Sequence, residues 1–126
     1  MVDAAWIRRR MSDYVCKVDA GDIDGILALY ADDASVEDPV GSPALIGRAA
    51  IARFYRDGLG QAAARAELTG PVRVAGRCGA MPFRVDLNWQ GRACSIQVID
   101  VMEFDEQGLI RSMKAYWGEG DLQWHS

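Results

Sequence analysis

The stretch ACSIQVIDVMEF, residues 93–104, decides how the chain folds. Its period is two. Cys94, Ile96, Val98, Asp100, Met102 and Phe104 share one face, and Ser95, Gln97, Ile99, Val101 and Glu103 share the other. Successive side chains alternate only on a strand. The first face is apolar apart from one aspartate, so it is the inner one, and Asp100 points into the core or into a cavity within it. The second face is mixed, with Ile99 and Val101 among polar residues, which implies that it is covered as well, by a partner subunit. Upstream, Met81, Phe83, Val85, Leu87 and Trp89 alternate with Arg84, Asp86 and Asn88, and Gln90-Gly91 is a tight-hairpin signal between the two runs. An earlier run places Ala66, Leu68, Gly70, Val72 and Val74 on one face. Downstream, a turn at residues 105–108 leads into a last run, residues 109–119, with Met113, Ala115 and Trp117 together. Short turns between such runs imply antiparallel strands.

The first half has a helical period instead. Ile7, Met11, Tyr14, Val15 and Val18 recur at steps of three and four, with Asp3 placed to cap the start and Gly21 to stop the helix. Asp22 heads a second, short helix whose inner face is Ile23, Ile26, Leu27 and Tyr30. Residues 34–37 read as a short strand. A third helix follows over residues 48–59, with Ile51, Phe54, Tyr55 and Leu59 inward. Three helices on one face of a long antiparallel sheet make an α+β fold, and 126 residues make one domain, residues 1–126. Only the last few residues read as a tail.

Composition removes several function classes. With 14 basic against 18 acidic residues the net charge is −4, which argues against a dedicated nucleic-acid binder. The single histidine, His125, is the second-to-last residue, so imidazole-based nucleophilic pairs and His-rich metal sites are not expected, and no metal is. Cys16, Cys78 and Cys94 are scattered and odd in number, which fits free, partly buried thiols in a reducing, cytoplasmic setting. The N-terminus does not read as a signal peptide, and no apolar run approaches the roughly 18 residues of a membrane span.

Three residues break the apolar pattern. Asp100 on the inner strand face is one; a lone carboxylate there takes up a proton and becomes a hydrogen-bond donor, unless it is a structural aspartate paired with an arginine or with backbone amides. Asp38, held extended by Pro39 in VEDPVG, is either a turn aspartate or a carboxylate at the lip of a cavity, where it can act as a general base. Tyr14 lies on the inner face of the first helix. Its phenol needs a partner, which Tyr30 and Tyr55 can supply. Met81, Phe83, Met113 and Trp117 are candidates for core or for cavity wall.

Taken in order, the segments MSDYVCKVDAGD, LYADDASVEDPVG, FYRDGL, LTGPVR, CGAMPFRV, VIDVMEFDE and AYW resemble the bacterial ketosteroid isomerases, over about residues 7–120. The resemblance implies a cone-shaped fold of the nuclear-transport-factor-two-like superfamily, with three helices on a curved, mostly antiparallel sheet around a deep apolar pocket. It implies a homodimer packed through the outer sheet face, a steroid ketone as substrate and no cofactor. The implied reaction moves a carbon–carbon double bond from the β,γ to the α,β position of the ketone. Asp38 then corresponds to the base, and Tyr14 and Asp100 to the oxyanion hole; this family is a known example of a carboxylic acid kept protonated so that it can donate. Tyr30 and Tyr55 correspond to tyrosines that bond to the oxyanion-hole tyrosine, and Met81, Phe83, Met113 and Trp117 to the substrate-binding wall. Two alternatives stay open: another enzyme on the same cone, such as an epoxide hydrolase, dehydratase or cyclase, and a non-catalytic binder of flat apolar ligands.

Overall fold

The computed structural model describes residues 1–60 and 62–125. Helix α1, Ala4–Ala20, begins where Asp3 Oδ1 accepts the Trp6 backbone N–H at 2.9 Å and ends at Gly21, whose φ of 67° suits glycine. It buries Ile7, Met11, Tyr14, Val15 and Val18, the face read from its period. Helix α2, Ile23–Leu27, is capped by Asp22, which accepts from Gly25 N–H at 3.0 Å. Strand β1, Tyr30–Glu37, follows at once. Tyr30 is therefore not a helical residue, a correction to the periodic reading. The cause is tertiary: Arg48, first residue of α3 (Arg48–Leu59), donates to the carbonyls of Leu27 at 2.9 Å and Tyr30 at 2.8 Å, so the chain turns there. The short strand β2, Leu45–Ile46, pairs antiparallel with β1.

The rest of the chain is sheet. β3, Arg65–Leu68, and β4, Arg73–Ala75, pair with opposite ends of β5, Cys78–Trp89. The single upstream run expected from alternation is thus two strands, broken at residues 69–72 where Gly70 and Pro71 sit. β5 turns at Gln90-Gly91, whose φ values of 53° and 80° are those of a tight hairpin, into β6, Arg92–Phe104. β6 pairs along one edge with β5 from Arg92 to Glu103. Its other edge is shared by β7, Ile110–Tyr116, over Ile99–Phe104 and by β8, Leu122–Trp124, over Cys94–Ile96. The tail is therefore a strand, which the sequence reading left out. The order of the sheet is β2-β1-β7-β6-β5-β3, and the β1–β7 pair is parallel, so the sheet is mixed but mostly antiparallel.

The core lies between α1 and the inner face of this sheet. At Gly79 of β5 they approach closely: a Cβ there would meet the Met11 sulfur, with Ile7 next to it. Met81, Met102, Phe104, Ile110 and Met113 are sealed in this core. The outer face stays open around Ile99 and Tyr116, 47% and 48% exposed and directly opposite each other across β6 and β7. Cys16 and Cys78 are exposed and only Cys94 is buried, so two of the three thiols are not the partly buried residues expected. Among the described residues no helix is long and apolar enough to cross a membrane.

Candidate active site

At the end of the sheet away from Gly79, helices and strands part around a cavity of about 690 Å³. The volume is within the usual range for small-molecule sites. One wall is strand: Phe83, Val85 and Leu87 from β5, and Ile96, Val98 and Asp100 from β6. These are the alternate residues that share the inner face, so the period-two pattern is also the cavity's lining pattern. Helices supply Tyr14 and Val18 from α1 and Phe54, Tyr55 and Leu59 from α3. Asp38, Pro39 and Trp117 complete it from the strand ends.

The polar groups fall into two sets. Asp100 is 1% exposed, and its Oδ2 has no hydrogen-bond partner. Loss of water pushes its carboxyl pKa well above the ordinary carboxylate value, and the Asp38 charge pushes it further the same way. Both effects favour its protonated form, which can donate a hydrogen bond. It is bonded neither to an arginine nor to a backbone amide, which were the structural alternatives. Beside it, three phenols form a chain: Tyr30 to Tyr55 at 2.6 Å and Tyr55 to Tyr14 at 2.9 Å. Each phenol has one proton. If Tyr30 donates to Tyr55 and Tyr55 to Tyr14, the Tyr14 proton is left for a ligand in the cavity. Burial holds all three phenols well above their ordinary pKa, so they are neutral. Phe83 meets Tyr14 edge-on at 6.4 Å between ring centroids.

Asp38 is the second set. It is half-buried, the residue before it closes β1, and the Asp38–Pro39 peptide is cis. Its Oδ1 accepts from the Trp117 indole N–H at 2.8 Å. Burial raises its pKa, and the indole bond opposes that rise. One oxygen is anchored and the other is available to a ligand. Sequence reasoning placed Trp117 on the wall but missed this bond, since nothing in the local pattern pairs residues 79 apart.

Tyr14, Asp38, Tyr55, Phe83, Asp100 and Trp117 thus meet at one cavity, with Tyr30 behind Tyr55. Met81 and Met113 do not line it. Both belong to the closed core, 0% and 1% exposed, and their assignment to the wall is corrected. Register does not separate them from the lining: Met81 stands directly opposite Asp100 and Met113 opposite Met102, so the physical reason is that both side chains are packed into the closed core. Sequence reasoning also missed Val18, Phe54, Leu59 and the hairpin residues 88–91 as lining. Among the described residues no three His, Cys, Asp or Glu side chains converge as metal ligands.

A sheet covered by helices over an apolar cavity, with a buried acid, a phenol and a second carboxyl group on its lining, defines a small-molecule pocket protein of the nuclear-transport-factor-two-like class. Residues 10–113 match the SnoaL-like domain, and the chain belongs to the SnoaL-like family. It is 40% identical over 119 residues to the steroid Delta-isomerase of Nocardioides simplex, with 94% of this chain and 95% of that protein covered. It is 33% identical over 127 residues to the epoxide hydrolase LasB of Streptomyces lasalocidi, spanning 96% of this chain but 45% of that longer protein. Its fold superposes with a TM-score of 0.91, at 26% identity and over 99% and 100% of the two chains, on SalBIII, an epoxide hydrolase/cyclase-like enzyme of pyran ring formation in the polyether salinomycin. These relatives are enzymes of more than one reaction.

Proposed function

We propose that this protein is a cytoplasmic steroid Delta-isomerase, moving the double bond of a β,γ-unsaturated steroid ketone into conjugation through a dienolate. The observation that carries the reading is the buried Asp100 carboxyl, one oxygen of it without a partner, lining the same apolar cavity as the Tyr14 phenol and the Asp38 carboxylate. With the ketone oxygen at Tyr14 and Asp100, Asp38 is the base. It takes the proton from the carbon between ketone and alkene. Electron density moves onto the ketone oxygen, and the two neutral donors stabilise the resulting anion in a dry site. Asp38, now protonated, returns the proton two carbons along. No net atom enters or leaves, so no cofactor is needed. The Trp117 bond holds Asp38 and lowers the cost of its charge. The test is an absorbance assay on a β,γ-unsaturated steroid ketone: an ultraviolet band of the conjugated enone should grow in, and a cavity that only binds would produce none.

A second reading, epoxide opening, has the relatives LasB and SalBIII in its favour. The same neutral acid would protonate the epoxide oxygen while Asp38 activates a nucleophile. Among the described residues no arginine lines the cavity to share that work. An epoxide consumed where the enone assay stays silent would favour this reading.

The assembly proposed is a homodimer through the outer sheet face, where Ile99 and Tyr116 form an exposed apolar pair. Its melting temperature should rise with protein concentration, as mass action requires. Ile99→Asp should shift sedimentation toward monomer, and a wild-type monomer at micromolar concentration would contradict the proposal.

A further inference from the structure

The cavity does not end where the inner strand face leaves the core. Trp89 is at its edge, 39% exposed, and meets Trp117 edge-on at 6.5 Å. Trp124 of the tail strand, 38% exposed, lies 6.0 Å from Trp89 at a tilt of 31°. Large exposed aromatic rings in continuous contact with a cavity mark a binding surface.

Register shows which way this surface faces. Residues directly opposite on paired strands share a face. Trp124 is opposite Cys94, Leu122 is opposite Ile96, and Trp89 is opposite Arg92. Cys94 and Ile96 share the face of Asp100, so the tail lays its tryptophan on the substrate side of the sheet. The tail is also tied down. His125 N–H donates to the Ala93 carbonyl at 2.9 Å, and its Nε2 lies 2.7 Å from Ser95 Oγ, which donates to Asp86 at 2.5 Å. The Arg92 guanidinium packs over the Trp124 ring at 4.6 Å. The His125–Ser95–Asp86 bonds are on the outer face and the Arg92–Trp124 contact on the inner one; together they hold Trp124 in place.

Strand length supplies a ruler. From Asp100 to Cys94 is six residues of β6, about 20 Å at roughly 3.3 Å per residue. A four-ring nucleus with its ketone at Tyr14 and Asp100 covers about 10 Å of this, from carbon–carbon bonds of about 1.5 Å. The remaining roughly 10 Å, ending at the level of Cys94 and Trp124, fits an extended aliphatic chain of about eight carbons at the same bond length.

We propose that Trp89 and Trp124 form a subsite for an aliphatic side chain, and that the substrate is a sterol-type ketone bearing that chain at the ring end opposite the ketone. This rests on the isomerase reading above. The test compares the β,γ-unsaturated three-ketones of the cholestane and androstane skeletons, dispersed with cyclodextrin. Turnover by wild type, Trp124→Ala and Trp124→Phe is measured, alongside equilibrium binding of the matching saturated ketones. Trp124→Ala should lower the cholestane-to-androstane ratio of kcat/KM about tenfold, the scale of one aromatic side chain lost from an apolar contact, and Trp124→Phe should recover most of it. The ratio of binding constants should move in parallel. Ratios that are the same in all three proteins overturn the subsite. If neither ketone is isomerised but the binding ratio still falls in Trp124→Ala, the isomerase reading fails and the subsite stands. If the binding ratio does not move either, both fail.

Discussion

Replacing Asp38 by asparagine is expected to lower turnover by at least the roughly 10²–10⁴-fold that a positioned base contributes. The side chain keeps its size and can still accept the Trp117 indole bond, so the fold should be unaffected and the loss should be in kcat. Binding of a phenolic steroid, whose hydroxyl occupies the oxyanion site, should survive or tighten, because a negative charge has left the cavity. That charge is also one cause of the raised Asp100 pKa. In Asp38→Asn the pH at which phenol binding weakens as Asp100 ionises should therefore move down. Near-normal turnover in this variant would remove Asp38 from the mechanism. In the wild type, activity should fall on the acid side as Asp38 takes up a proton, at a pH above the ordinary aspartate value.

The second large effect separates two substitutions at one position. Asp100→Leu removes a donor and should cost about 10²-fold or more, the scale of one oxyanion-hole hydrogen bond. Asp100→Asn keeps a donor, less acidic than the carboxyl, and should retain substantial activity. Tyr14→Phe should cost at least as much as Asp100→Leu, and it also cuts the Tyr55 bond. Equal turnover by folded Asn and Leu variants would refute the donor role. Stability gives an independent sign. The folded-state pKa of Asp100 is raised, so the native state binds this proton more tightly than the unfolded chain does. The contribution is whole below the unfolded aspartate pKa and is lost as pH rises through the folded one. Leu at this position should flatten that part of the stability profile, measured as unfolding midpoint against pH.

Much of this was legible residue by residue. The alternation of 93–104 located β6, its inner face and the anomaly at Asp100, because strand period and burial are both local. The i, i+3, i+4 spacing located α1 and the buried side of Tyr14, and Gln90-Gly91 located the hairpin. Long-range features were not legible. Tyr30 stands four residues after Ile26 and satisfies a helical period, but Arg48 caps the carbonyls that a longer α2 would use. Met81 and Met113 alternate as faithfully as Phe83 and Trp117. What divides core from cavity is packing by the rest of the chain, which alternation does not carry: Met81 is sealed although Asp100, directly opposite it, lines the cavity. The tail strand has three residues, too few for periodicity, and forms because β6 offers it an edge that β7 leaves unpaired.

One strand carries Asp100, part of the cavity wall and the partner of the tail, and this links the integrity of the site to refolding. β6 is paired on both sides of Asp100, with Met81 opposite on β5 and Ala115 on β7. A slip of one residue would turn Asp100 outward and bury Gln97 and Glu103 in place of Val98 and Met102. Such a species would be both inactive and too unstable to persist. Specific activity after dilution from denaturant should therefore count native molecules directly, with no soluble but catalytically dead fraction to subtract.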